Sequence, residues 1–250
     1  MKHAALVRFL LCLAVVLVLE FVTQTGIVTR FAIIPPSEML TSLWKIMLSG
    51  KFNVQILRTL GSIVVSGILS VIVGFGIGIG LHAWPRARRA SDPYLASFYA
   101  VPIFVFYPMF IVLFGLNRIP VMLIAFLLAT VAVITSTLNG LDRVPRIQLK
   151  AAKIMRMDRW STTLLIILPS AFPYFLTGFK FAIAFSFVGT LGAEFILANQ
   201  GLGYEIAFAF NDFDNRTMYA LIVFVLIVVS LVNMALFAWE RRVLSRRGMA

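Results

Sequence analysis

Six long apolar runs separated by short, mostly basic interruptions set the organisation of the chain. They fall at about residues 4–22, 60–81, 98–114, 121–138, 174–194 and 218–239. Each is close to the roughly 20 apolar residues that a helix needs to cross a bilayer. A cleaved leader competes for the first run, but the run is long for a leader and no small-x-small site follows it. The pattern therefore predicts an all-α, polytopic membrane protein of about six transmembrane helices, residues 1–250 forming one transmembrane domain.

The interruptions carry their own signals. Pro35-Pro36-Ser37-Glu38 reads as a helix start with Ser37 as its cap. Met39, Leu40, Leu43, Trp44 and Met47 then form a stripe ending at Gly50. Such a helix lies flat at the membrane surface or offers a soluble partner a docking surface. The second run ends in Gly74, Gly76, Gly78 and Gly80. Gly74 with Gly78, and Gly76 with Gly80, have the small-xxx-small spacing that lets membrane helices approach closely. A phosphate loop is excluded, because it needs a strand before the glycines. Asp92-Pro93 marks a turn, and residues 116–120 another. Pro102 and Pro108 interrupt the third run, which fits a helix lining the interior of a bundle. Thr130, Thr135, Ser136 and Thr137 are expected to bond back to their own helix.

Ionisable residues within a run are functional hypotheses. Lys180 lies in the fifth run, where it either snorkels or faces a pathway. Ser186, Thr190 and Glu194 share one helical face at i, i+4 and i+8. They line a translocation path, with Glu194 holding a gate through a donor on a second copy, or simply pack polar atoms between helices.

Composition sharpens the class. The chain is 61% apolar and only 13% charged, with a mean hydropathy of +0.97. A soluble domain is about half apolar and a quarter charged. The net charge of +12 does not indicate nucleic acid, because the cations sit in short loops between runs. With both ends and the third and fifth segments placed inside, fifteen basic residues lie inside and six outside, the asymmetry of cytoplasmic loops. Arg8 then snorkels to the inner boundary. Cys12 is the single cysteine, and His3 and His82 lie far apart, so neither a disulfide nor a metal site is expected. No nucleophile–base pair, acidic run or Walker sequence appears. The chain is not expected to be an enzyme or to bind a cofactor itself.

The longest polar interruption of the second half spans residues 139–169. Pro145 suits a first helical turn. A helix over 146–157 then places Ile147, Ala151, Ile154 and Met155 on one face and Arg146, Lys150 and Lys153 on the other. On physics alone this is a surface helix resting on anionic lipid or a docking helix.

Lys150-Ala151-Ala152, three residues, Arg156, nine residues and Ile166-x-Leu168-Pro169 resemble the cytoplasmic signature of ABC-importer permeases. That signature reads Glu-Ala-Ala, three residues, Gly, nine residues, Ile-x-Leu-Pro. Lys150 stands where the family has Glu and Arg156 where it has Gly. Both departures add a cation, so the partner surface needs matching acidic groups. Pro35-Pro36-Ser37, Val101-Pro102 with Tyr107-Pro108, and Gly201-Leu202-Gly203-Tyr204 resemble stretches of the sulfonate, taurine, nitrate and bicarbonate branch. The resemblance implies the type I importer permease fold, with 139–169 as a cytoplasmic coupling segment between spans four and five. There Arg146, Lys150, Ala151, Ala152, Ile154, Met155, Arg156, Leu168 and Pro169 engage an ATPase subunit. It further implies a homodimer in the bacterial inner membrane, two ATPase subunits that use ATP and Mg, and a periplasmic or lipid-anchored binding protein that delivers a small anion. The alternative is an ion-coupled secondary transporter or channel acting alone, for which paired inverted repeats are absent from the sequence.

Overall fold

The computed structural model describes residues 2–246, and every element in it is helical. The expected snorkelling of Arg8 concerns a side chain outside the described ones, and the basic tail beyond residue 246 lies outside them too. The helices are α1 (Lys2–Gln24), α2 (Pro36–Ser49), α3 (Asn53–Ala83), α4 (Pro85–Ser97), α5 (Tyr107–Phe114), α6 (Arg118–Asp142), α7 (Arg146–Ile154), α8 (Arg159–Thr162), α9 (Leu168–Leu197), α10 (Leu202–Asn211) and α11 (Asn215–Arg246).

All six apolar runs become helical, but fewer than six are simple spans. Among the described residues, four stretches are long and apolar enough to cross: α3, α6, the near-continuous stretch from Trp160 to Asn211, and α11 from Asn215 to Ser245. In α1 the apolar part, Leu13–Gln24, is shorter. The third run is broken. Pro85–Ala100 and Ile103–Phe114 meet at 91°, because Val101, which precedes Pro102, takes extended backbone (φ −86°, ψ 121°), as the proline ring requires. Asp92-Pro93 is not a turn. Pro93 lies inside α4, which buries none of its residues, so the carbonyl that loses its N–H partner stays open to solvent.

The start of α2 also differs from expectation. Pro35 takes the cap position and Pro36 the first turn. Ser37 is therefore inside the helix, where its N–H and hydroxyl both donate to Glu20 of α1, at 2.9 and 2.6 Å. A carboxylate from another helix thus meets an N–H that the helix start leaves unpaired. The far end is as read: Gly50 closes α2 with φ +64°.

The core is α6 with α9 and α3 against it. α6 buries Ile124, Ala125, Ala129, Val133, Thr137 and Leu141. Lipid offers no hydrophobic drive between helices, so close packing must supply the attraction, and glycines permit it. A Cβ on Gly189 would lie 2.5 Å from the Ala125 Cα, one on Gly74 2.6 Å from the Val133 Cβ, and one on Gly78 2.7 Å from the Thr137 Cβ. Gly76 and Gly80 have nothing within 4 Å. Residues two apart on a helix point to nearly opposite sides, so only one of the two glycine pairs packs within the chain. Thr135 and Thr137 bond back to Val131 and Val133 as expected. Ser136 instead donates across to the Tyr174 carbonyl of α9 at 2.9 Å, and the Thr130 hydroxyl has no hydrogen-bond partner among the described residues.

Candidate functional site

The polar interruption folds as a short helix whose apolar side is turned away from its own chain. α7 starts after Pro145, which caps it, and ends earlier than expected, with Met155 as its C-cap. Ile147, Ile154 and Met155 are 76%, 83% and 73% exposed, whereas Ala152 is 2% exposed. Arg146, Lys150 and Ala151 are exposed as well. The face expected to be apolar is therefore the outer one, and a single small residue seats the helix. The Ser170 hydroxyl donates to Gln148 Oε1 at 2.8 Å, tying α7 to the start of α9. Leu168 opens α9 and Pro169 sits in its first turn, after a π-helical turn at Thr163–Ile167.

Arg156 explains its own place in the signature. Its φ is +51°. Its N–H donates to the Lys153 carbonyl at 3.1 Å, and the Met157 N–H donates to the Ala152 carbonyl at 3.0 Å. That pair of bonds is the Schellman ending, whose left-handed position is usually glycine. Glycine, the residue the signature carries at this position, is the one that such a turn favours. Asp158 follows and accepts from the N–H groups of Trp160 and Ser161. The Ser161 hydrogen bonds hold its carboxyl below the usual carboxylate range.

The fifth-run residues separate into two places. Ser186, Thr190 and Glu194 do share a face, and within the protomer it is buried. The Ser186 and Thr190 hydroxyls have no hydrogen-bond partner among the described residues. Glu194, 3% exposed, accepts from Thr59 Oγ1 at 2.8 and 3.0 Å and from the Gly203 N–H at 3.0 Å. These three hydrogen bonds all come from its own chain. Thr59 also accepts the Leu202 N–H at 2.8 Å, and Gln55 Oε1 accepts the Gly201 N–H at 3.0 Å. A Cβ on Gly201, whose φ is +105°, would lie 2.2 Å from the Glu194 carboxyl carbon. Glu194 therefore pins the Gly201-Leu202-Gly203-Tyr204 turn to α3. Lys180 stands elsewhere: its ammonium donates to Glu240 of α11 at 2.8 Å, so it is an ion-pair partner and does not extend alone to solvent.

A cavity of about 550 Å³ opens between the ends of α6 and α9, lined by Tyr99, Ser136, Asn139, Arg143, Tyr174 and Phe185 among others. Sequence reading passed over it. The available signal was helical spacing: Ser136, Asn139 and Arg143 fall on one side of α6, and Tyr174, Phe181 and Phe185 on one side of α9.

The family "Binding-protein-dependent transport system inner membrane component" matches residues 70–248. The taurine transport system permease protein TauC of Escherichia coli is 25% identical over 86% of this chain and 80% of its own length. A nitrate import permease protein, NrtB of Leptolyngbya laminosa, is 26% identical over 72% of this chain and 64% of its own. The putative aliphatic sulfonates transport permease protein SsuC of Bacillus subtilis is 24% identical over 96% and 87%. An inward-facing structure of the MetNI methionine ABC transporter matches in fold, with a TM-score of 0.66 at 19% identity over 78% of this chain and 97% of that one. The chain belongs to the inner-membrane components of binding-protein-dependent transport systems: it is a permease subunit of an ABC importer.

Proposed function

We propose that two copies of this chain form the translocation path of an importer for a small anion, with α7 docked on an ATPase subunit at the cytoplasmic side. The observation that carries this reading is α7 itself. A short helix between two long apolar ones whose isoleucines and methionine are three-quarters exposed while Ala152 is buried is built to be covered. Fully burying one such side chain contributes about 1.5–3 kcal/mol. The exposed cations Arg146, Lys150, Lys153 and Arg156 ask for acidic groups on the ATPase, which supplies the ATP and Mg chemistry.

The relatives named for taurine, nitrate, aliphatic sulfonates and bicarbonate support an anionic or zwitterionic solute brought by a soluble binding protein. The excess of basic residues in the segments assigned to the inside supports cytoplasmic termini. The open side of α3, at Gly76 and Gly80, is the surface proposed to meet the second copy.

The test is ATP-driven uptake in vesicles holding the permease, its ATPase and its binding protein. Ile154→Asp should abolish stimulated hydrolysis while the permease still inserts. Uptake that persists with no ATPase present would instead favour an ion-coupled carrier.

A further inference from the structure

We propose that the cavity between α6 and α9 binds a small organic anion, with Arg143 taking the anionic head and Tyr99, Phe181 and Phe185 taking its apolar body. This rests on the importer reading and narrows its substrate class.

The first argument is charge. Arg143 is the one ionisable group besides the two tyrosines on the cavity wall, and no carboxylate lines it. The groove next to it, across Tyr99, Thr135 and Asn139, holds Arg88 and Asp92. Arg88 is already neutralised, by bidentate hydrogen bonds to Asp142 and by Asp92 at 3.7 Å. Arg143 has no carboxylate among the described residues. One of its five N–H donors reaches the Tyr174 hydroxyl at 3.2 Å, and the guanidinium lies over that ring at 5.5 Å. The Tyr174 ring thus orients a fork whose remaining donors suit a sulfonate or carboxylate.

The second argument is the supply of neutral donors. The hydroxyls of Thr135, Ser136 and Thr177 are committed to backbone carbonyls. The Asn139 amide, one helical turn before Arg143, and the Tyr99 hydroxyl make no hydrogen bond among the described residues and remain for a ligand. Wall chemistry then chooses between inorganic and organic anions. Small-molecule sites span about 300–1,000 Å³. The cleft's volume of about 550 Å³, part of it open to the surroundings, lies within that range. Among the lining residues, Phe185 stacks on Tyr99 at 5.9 Å and meets Phe181 edge-on at 6.3 Å, a wall for an apolar body.

The test uses the full-length chain in phosphatidylcholine nanodiscs, with 1-butanesulfonate, nitrate and butylammonium as probes in titration calorimetry. Butanesulfonate should bind at least about tenfold tighter than nitrate, and butylammonium should not bind. Arg143→Gln should weaken butanesulfonate by about tenfold or more, the scale of a lost charge-assisted hydrogen bond. Arg143→Lys should fall between. Phe185→Ala should weaken butanesulfonate and leave nitrate unchanged. Melting curves in the same nanodiscs check folding; if Arg143→Gln does not fold, Arg143→Lys and Phe185→Ala decide. Equal affinity for nitrate and butanesulfonate overturns the organic assignment. Wild-type affinity in the Arg143 variants, or no binding by the wild type, overturns the site. In phosphatidylglycerol nanodiscs the binding should persist. Its loss there means that a lipid headgroup occupies the cavity, which also overturns the proposal. ATP-driven uptake by the wild type is read separately, so the importer reading fails only if that uptake is absent.

Discussion

α6 and α7 lie three residues apart in sequence and treat their apolar residues in opposite ways. α6 buries apolar residues along most of its length and lets α9 and α3 approach to backbone contact at glycines. α7 turns its three largest apolar side chains outward and buries only Ala152. The contrast separates two uses of hydrophobicity. Between membrane helices, shape decides, because lipid is as apolar as the partner helix. In water, an apolar face left open is a cost until something covers it.

The strongest break of this contrast is on the α6–α9 side. Gly189→Leu drives carbon into the Ala125 backbone, and overpacking of a site with no room should cost more than about 3 kcal/mol. The expected outcome is loss of folded protein in detergent, seen by size-exclusion yield and melting. Gly76→Leu should melt as the wild type does in the monomer. A wild-type melting curve for Gly189→Leu would remove the close contact from the account.

Next comes the buried carboxylate. Glu194→Ala strands the Gly203 N–H and the Thr59 hydroxyl, which should cost about 2–3 kcal/mol. The turn at Gly201 should then be cut by protease in conditions that leave the wild type whole. An unchanged cleavage pattern would show that the turn is held by other means. Cysteines at Ser186 and Thr190 should stay inert to charged thiol reagents in this conformation, since both positions are fully buried.

The comparison sharpens further inside α7. Ala152→Asp places a charge in the seated face and should lower both stability and ATPase stimulation. Ile154→Asp should change stability by no more than about 0.5 kcal/mol, as surface substitutions do, and still lose stimulation. If both variants melt alike, Ala152 is not the seat. The smallest effect belongs to Arg156→Gly. Relief of the left-handed backbone should raise stability by about 1 kcal/mol or less, read as a small upward shift in the melting temperature.

The helical class, the apolar runs and the short amphipathic helix α7 were legible because periodicity reports which residues share a face. What that face meets is not in the pattern. Ser186, Thr190 and Glu194 were correctly grouped, yet their neighbours Thr59 and Gly203 come from other elements. Gly74 and Gly76 look alike in sequence, and only the position of Val133 tells them apart. Lys180 finds its partner sixty residues later, at a distance no local rule reaches. Pro102 was visible, but whether a proline kinks a span or folds it back by a right angle depends on what packs beside it. Arg156 could have been read: a position where the signature calls for glycine is a position where backbone geometry is at stake.

α11 is fastened near both ends by charge. Arg216 pairs with Glu38 of α2 at 2.7 Å, and Glu240 pairs with Lys180 of α9 at 2.8 Å. From Arg216 to Glu240 the helix measures about 36 Å at 1.5 Å per residue. The hydrocarbon layer of a bilayer is about 30 Å thick. For a helix set upright across a bilayer, the two ion pairs are the marks of a gauge slightly wider than the oil between them. A thinner bilayer leaves both marks in the headgroups. A thicker one pulls a mark into hydrocarbon, where opening the pair would expose two bare charges, so bilayer thickness becomes a variable to which the grip of this helix responds.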